Sequence, residues 1–475
     1  MSTTSQASQR INALLDENSF VEIGGLVTAR ATDFNLKQTE TPSDGVVTGY
    51  GVIDGNLVYV YSQDASVLNG SVGEMHAKKI VNIYELAMKM GAPVIGLIDS
   101  AGLRLQEATD ALNGFGEIYR SQAMASGVIP QITAVFGSCG GGLALIPAMT
   151  DFAFMEEKNA KLFVNSPNAL EGNEISRCDT SAAAFQSEET GPVDMAADEA
   201  TILGQIRQLV SILPANNSDL AWVDCTDDLN RACAQIANCV GDTAIALSQL
   251  ADDGLFVEVK QDYAKDMVAG FIRLNGATIG AVANRTEVCD ENGEVVEKFD
   301  AAISPRGAEK AAEFVNFCDA FDIPVLTLTN VTGFAATTCS EKRMAKAAGR
   351  LTYAFANATV PKVNVIIGKA YGSAYVAMNS KAVGADITIA WPDAQIGMMD
   401  AKLAAKIICD GQGADAIDAC AKEYEALQNN VTSAAKRGYV DQIVEPADTR
   451  KYVIGAFEML SSKTEGRPEK KHGTV

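Results

Sequence analysis

VIPQITAVFGSCGGGLAL (128–145) and TVPKVNVIIGKAYGSAYVAM (359–378) are two versions of one pattern. Each runs from a proline through an apolar stretch into a glycine-rich turn and a second apolar stretch. Pro130 pairs with Pro361, Gly137 with Gly368 and Gly141 with Gly372, each 231 residues apart. The offset continues upstream, where Lys79 matches Lys310, Pro93 matches Pro324, Asp99 matches Asn330 and Gly102 matches Gly333. In shifted register, VTGYGVIDG (47–55) aligns with VAGFIRLNG (268–276), and LLDENSFVEI (14–23) with LADDGLFVEV (250–259). The polar stretch EVCDENGEVVEKFD (287–300) makes up the difference, and its composition reads as a surface hairpin or loop. A period near half the chain means two duplicated domains, whereas solenoids repeat every ~20–50 residues. The expected division is 1–235 and 236–475.

Within each half, apolar runs alternate with helical patterns. HAKKIVNIYELAMKMGAP (76–93) places Ile80, Ile83, Ala87 and Met90 on one face, with Gly91 and Pro93 closing the helix. VIGLID (94–99) follows as a continuous apolar run, the pattern of a strand covered on both faces. The second half repeats this with Phe314, Val315, Cys318 and Phe321, then PVLTLTNV (324–331). Strand, helix, strand in that order implies right-handed crossovers and a largely parallel sheet, hence an α/β fold class.

Composition excludes several functions. A net charge of −22 argues against a nucleic-acid-binding surface and fits a well-solvated one. The ten cysteines show no CxxC pairing, as expected of free thiols in a reducing compartment. MSTTSQASQR (1–10) lacks the apolar core of a signal peptide, and no apolar stretch reaches the roughly 18 residues of a membrane span, so the reading is cytoplasmic. Only His76 and His472 exist, too few for a Ser–His–Asp triad or a histidine metal site. No metal is expected. Chemistry here must rest on carboxylates, backbone N–H groups or a cofactor.

The two loops suit backbone chemistry. An enolate gathers negative charge on oxygen, and two N–H donors aimed at that oxygen stabilise it where water is excluded. Glycine lets backbone approach a ligand without a Cβ in the way, and a following helix adds its positive end. GSCGGG (137–142) and KAYGSAY (369–375) fit that design, although duplication copies packing glycines too. DSAGLRLQEA (99–108) sits beside a strand end, where α/β sheets bind ligands. Arg104 there could meet a phosphate or fix the loop through Glu107. Cys139, inside the first loop, reads as a small buried thiol. No P-loop occurs, and no dinucleotide-binding GxGxxG follows a suitable strand.

At these residues the chain resembles a known family, the carboxyltransferase (β-type) subunits of biotin-dependent acyl-CoA carboxylases and decarboxylases. The similarity is carried by SDGVVTGYGVIDGNLVYVYSQDASVLNGSVGEMHAKKI (43–80), MGAPVIGLIDSAGLRLQE (90–107), ASGVIPQITAVFGSCGGG (125–142), the second loop, IAWPDAQIGMM (389–399), RGYVDQIVEPADTR (437–450) and the tail RPEKKHG (467–473). The resemblance implies tandem crotonase-like ββα-spiral domains in a homohexamer, acyl-CoA on the first domain of one subunit and biotin on the second domain of its neighbour. The biotin would ride on a separate carrier protein, loaded by a biotin carboxylase or unloaded by membrane decarboxylase subunits. It implies further that a coenzyme A thioester is the substrate, with propionyl-CoA/methylmalonyl-CoA favoured. Its oxygen would meet N–H groups at Gly141 and Gly142, and the biotin ureido oxygen those at Ser373 and Ala374. Gly140, Gly372, Tyr371, Gly333 and Phe334 would line the cofactor side, and Ser100, Gly102 and Arg104 the substrate side. The cofactor itself would serve as base, which accounts for the missing histidines.

The chain departs from the family pattern at NVTGF (330–334), where Asn330 and Thr332 replace Asp and Pro. SEKRMAKAAGR (340–350) replaces a glycine-rich segment and leaves Lys346 and Arg350 as basic positions. SPNALEGNEISRCDTSAAAF (166–185) is altered as well, and Ser373 stands where glycine is usual. Two other readings compete: a non-catalytic subunit of a mixed ring, and a crotonase-type hydratase or isomerase using Glu107 as acid/base.

Overall fold

A computed structural model describes residues 5–30, 40–468 and 473 of the chain. His472 lies outside the described residues. The chain divides into two compact units, Met1–Ala221 and Trp222–Val475. The division falls before the 235/236 placement because residues 222–235 are bonded into the second unit. Trp222 bridges Ala277, Arg231 donates to Gln249 O at 3.0 Å and Cys233 N–H donates to Ala447 O at 2.8 Å.

Each unit opens its main sheet with the same hairpin. In the first, Val46–Ile53 and Asn56–Gln63 pair antiparallel. Asp54 and Gly55 turn between them with φ of 48° and 83°. In the second, Met267–Leu274 pairs with Ala277–Asn284 across Asn275 and Gly276, at 50° and 76°. Both are Asx-Gly turns with two left-handed residues, whose twist matches that of the flanking strands. Parallel strands follow: Val94–Ser100, Gln131–Gly140 and Phe152–Glu156 in the first unit. Val325–Val331, Lys362–Tyr371 and Ile387–Ala390 repeat them in the second. Each sheet has eight strands. The polar stretch expected to loop out forms its own hairpin, Glu287–Cys289 against Val295–Lys298.

The crossover helices follow the expected periodicity. Helix Glu74–Met90 buries Ile80, Ile83 and Ala87 completely and stops at Gly91, which is left-handed with φ 62°. Met90, assigned to the same stripe, is instead 60% exposed, because the last turn runs past the edge of the core. In helix Pro305–Ala320 and just beyond it, Phe314, Val315, Cys318 and Phe321 are all buried.

Lys79 and Lys310, matched in the repeat, perform one task twice. The Lys79 ammonium donates to Ser43 O (3.0 Å) and Val46 O (2.5 Å), and that of Lys310 to Lys260 O (2.7 Å) and Tyr263 O (2.9 Å). Each tethers a turn strained by left-handed residues, Ser43 and Asp44 in one and Lys260 and Ala264 in the other. Burial holds both amines down to about 8.

The repeat's glycines divide into two kinds. A Cβ on Gly137 would lie 1.9 Å from Asp99 Oδ1, and one on Gly368 would lie 2.6 Å from Asn330 Oδ1. The strand register slips beside each, between Ile98 and Ser100 and between Thr329 and Val331. These glycines make room for a side chain. Gly141 and Gly372 have a different function.

Candidate active site

Both loops leave a buried strand through an extended residue and then reverse at a left-handed glycine. In the first unit Gly140 is extended (φ −116°, ψ 157°) and Gly141 has φ +64°, opening a tight turn Gly141–Ala144 and the short helix Leu145–Ala148. In the second, Tyr371 (φ −116°, ψ 138°) precedes Gly372 at φ +62° and the helix Gly372–Ala377. The φ angles agree to within a few degrees, and the extended residues differ by about 20° in ψ. Residues at the start of a helical turn have no carbonyl within that turn to receive their N–H groups, and this is the position of Gly141 and Gly142 and of Ser373 and Ala374. The helices behind them are only four and six residues long. Helices this short leave the individual N–H groups as the larger part of the positive end expected from sequence.

Beside the first loop, Gly102 (φ 94°) approaches Gly140, since a Cβ on it would stand 3.6 Å from Gly140 O. Its N–H donates to Ser100 Oγ at 3.1 Å, and Val72 N–H donates to its carbonyl at 2.8 Å. Ser100 is buried and opposite Cys139 in the sheet. Cys139 is fully buried, and burial pushes its thiol far up, so it is no nucleophile.

Arg104 does not face the loop's open side. Its guanidinium meets Glu107 Oε1 and Asp44 Oδ1, each at 2.7 Å, and donates to Ser71 O at 2.7 Å. All three charged side chains are essentially inaccessible. Glu107 turns its other oxygen to Glu74 N–H at 2.5 Å, capping the start of helix Glu74–Met90. Gly73 is required there, because a Cβ would sit 2.4 Å from the Arg104 guanidinium. Of the two roles open to Arg104 in the sequence, the structure places it in the one that fixes the loop.

His76 completes this network. Its N–H donates to Asp44 Oδ2 (2.8 Å), and ring Nδ1 lies 2.9 Å from Asp44 O, which makes Nδ1 the protonated nitrogen. Nε2 then accepts from the Gln63 amide at 3.1 Å. Burial first, and the Arg104 charge second, hold the imidazole down to about 3. Because the folded value lies below the unfolded one near 6.5, the neutral ring's stabilisation is complete above pH 6.5 and is lost as pH falls toward 3. Each pH unit in that window costs about 1.4 kcal/mol. Asn retains the Nδ1-like donor but does not titrate. Between pH 7 and 5, wild-type unfolding free energy should therefore fall about 2 kcal/mol further than that of His76→Asn. Equal losses by denaturant titration would remove His76 as the cause.

Around the second loop, Asn330 Oδ1 accepts from Lys369 N–H at 3.0 Å and ties the loop's approach to the neighbouring strand. Gly333 and Phe334 pair parallel with Ala302 and Ile303. Gly333 has open space where a Cβ would be, and Phe334 is half-buried. Tyr371 is buried, its hydroxyl donating to Gln395 Oε1 at 2.5 Å. It builds the wall behind Gly372. Lys346 is exposed, and Arg350 lies 3.5 Å from Glu309.

Sequence reasoning overlooked Tyr119. Its hydroxyl donates to Gly142 O at 2.5 Å, while its ring stacks on Phe115. The available signal was the 231-residue offset, which pairs Tyr119 with Arg350 and Phe115 with Lys346.

With this geometry in place, similarity to known proteins settles the class. The carboxyl transferase domain family matches residues 4–475, and the chain belongs to that family. It is a carboxyltransferase with two crotonase-like domains. It is 41% identical to the propionyl-CoA carboxylase beta chain of Roseobacter denitrificans, over 99% of this chain and 93% of that one. It is 38% identical to the methylmalonyl-CoA decarboxylase subunit alpha of Propionigenium modestum, over 99% and 92%. Among solved structures, hexameric transcarboxylase 12S with methylmalonyl-CoA and methylmalonic acid bound matches with a TM-score of 0.91 and 35% identity, covering 98% of this chain and 92% of that one. Among the described residues no helix is long and apolar enough to cross a membrane.

Proposed function

We propose that the protein transfers a carboxyl group between biotin, carried on a separate protein, and the α-carbon of a short acyl-CoA, with propionyl-CoA/methylmalonyl-CoA as the pair. The observation that carries this reading is the duplicated loop: one backbone conformation, φ +64° and +62°, presented in two different surroundings. The first unit takes the thioester. Gly141 and Gly142 N–H groups hold its oxygen as the α-proton leaves and charge moves onto it. The second unit suits biotin, because a ureido oxygen accepts from adjacent N–H donors such as those of Ser373 and Ala374. Gly372 packs closely against the Met398 carbonyl, with Tyr371, Gly333 and Phe334 beside it. When bound, biotin supplies the transferable carboxyl group and the base. The chain's own part is to fix both oxygens and exclude water.

The partners that follow are a biotin carboxyl carrier protein and either a biotin carboxylase or membrane decarboxylase subunits. We place the enzyme in the cytoplasm as a homohexamer, in keeping with the hexameric relative. Hydration through Glu107 is disfavoured, since both its oxygens are engaged with Arg104 and Glu74. A non-catalytic subunit is disfavoured as well, because the replacement at Ser373 leaves backbone donors in place. The test is carboxyl transfer from methylmalonyl-CoA to free biotin by the purified chain. Stable oligomers that transfer nothing from any malonyl-type CoA ester would overturn the assignment.

A further inference from the structure

We propose that Tyr119 is a positioning residue for the first oxyanion pocket, bracing a turn too flexible to hold its own donors. The inference rests on the assignment of Gly141 and Gly142 to the thioester oxygen. Gly140, Gly141 and Gly142 are three consecutive residues without a Cβ, the most permissive backbone a chain can have. An oxyanion pocket works only if its donors are held before charge develops. The stiffness must come from outside the turn.

Two bonds supply it, and both end on Gly142 O. Leu145 N–H donates to that carbonyl within the helical turn. Tyr119 OH donates to it from the crossover helix Ala108–Ala125. Together they fix the plane of the Gly142–Leu143 peptide, and so restrict the rotation about Gly142 that aims its own N–H. The phenol is held in place: Tyr119 is half-buried and stacks on buried Phe115, with ring centroids 6.0 Å apart. Gly142 is matched to it, since a Cβ there would come within 3.0 Å of the hydroxyl.

The second unit shows why the brace is needed only once. Its turn contains a single glycine between Tyr371 and Ser373, so less of its stiffness has to come from outside. At the position matching Tyr119 stands Arg350, which faces Glu309. The match to Gly142 is Ser373, which carries a Cβ where the first turn has none.

Tyr119→Phe keeps the ring and removes the one bond. The expected result is a kcat for transfer from methylmalonyl-CoA to biotin about fivefold lower, the scale of one neutral hydrogen bond, with KM for the CoA ester unchanged. A readout independent of turnover is the carbonyl band of bound propionyl-CoA labelled with carbon-13 at the thioester. Donors held in place shift that band to lower frequency, and the shift should shrink in Tyr119→Phe. An unchanged kcat and band overturn the inference. A raised KM at unchanged kcat also overturns it, by making the hydroxyl a substrate contact. If the wild-type enzyme neither transfers carboxyl nor shifts the band, the proposed function fails and this inference with it. A normal wild type with a silent Tyr119→Phe removes this inference alone.

Discussion

Gly142→Pro and Ala374→Pro should each lower kcat for carboxyl transfer by about a hundredfold to a thousandfold, the usual effect of deleting one oxyanion donor. Proline removes a single N–H and fixes φ near a helical value, which the first turn of a helix accepts. At 142 the preceding residue is left-handed Gly141, whose freedom absorbs the ring's demands on its neighbour, but the new Cβ comes within 3.0 Å of the Tyr119 hydroxyl and disturbs that brace as well. At 374 the preceding residue is Ser373, already helical, so some strain is added there. Melting temperature and oligomeric state therefore have to be measured beside the rates. The two variants differ in what they impair. Gly142→Pro should slow exchange of the acyl α-proton, whereas Ala374→Pro should weaken the response to free biotin. Full rates in both folded variants would end the account of two backbone pockets.

Arg104→Met should destabilise the first unit by about 3–5 kcal/mol, the cost of breaking a buried ion pair from one side. The loss follows from what remains: Asp44 and Glu107, both with inaccessible side chains, left facing each other with only the more distant Lys79 charge beside Asp44. Burial already pushes the Asp44 carboxyl up despite the Arg104 charge beside it. The measurement is the denaturant midpoint, read together with KM for the CoA ester. A ligand-binding arginine would give the opposite result, a normal midpoint and a raised KM. That outcome would return Arg104 to the substrate side.

The duplicated α/β fold was legible because it is written in local terms. Asp54-Gly55 and Asn275-Gly276 announce their hairpins, Gly91 ends its helix, and the matched prolines mark the entry to each strand. The loops were legible for the same reason, since a left-handed glycine after a strand leaves few alternatives. Arg104 was ambiguous because its partners come from distant segments, with Asp44 and Ser71 far away in the chain. Nothing near residue 104 shows that they close around it. Tyr119 was hidden differently, since its ring follows the helix pattern while its hydroxyl serves a loop 23 residues on. The family departures at Asn330 and Ser373 were visible, but the bond that Asn330 accepts from Lys369 N–H was not, because it closes across 39 residues.

The separate cores have a consequence for biosynthesis. The first unit's main cluster draws on residues from Val46 to Val193, and the second unit's on residues from Cys233 to Phe457. Every strand of the first unit's sheet is also internal to it, from Val21 to Ala197. At ~5–20 residues per second, the ribosome spends on the order of ten to fifty seconds on the second half after finishing the first. For that interval the emerging half already holds every residue of its own main cluster and every strand of its own sheet. Its closely similar sister strands do not yet exist to compete for its edges, so vectorial synthesis protects a duplicated protein from pairing with itself in the wrong order.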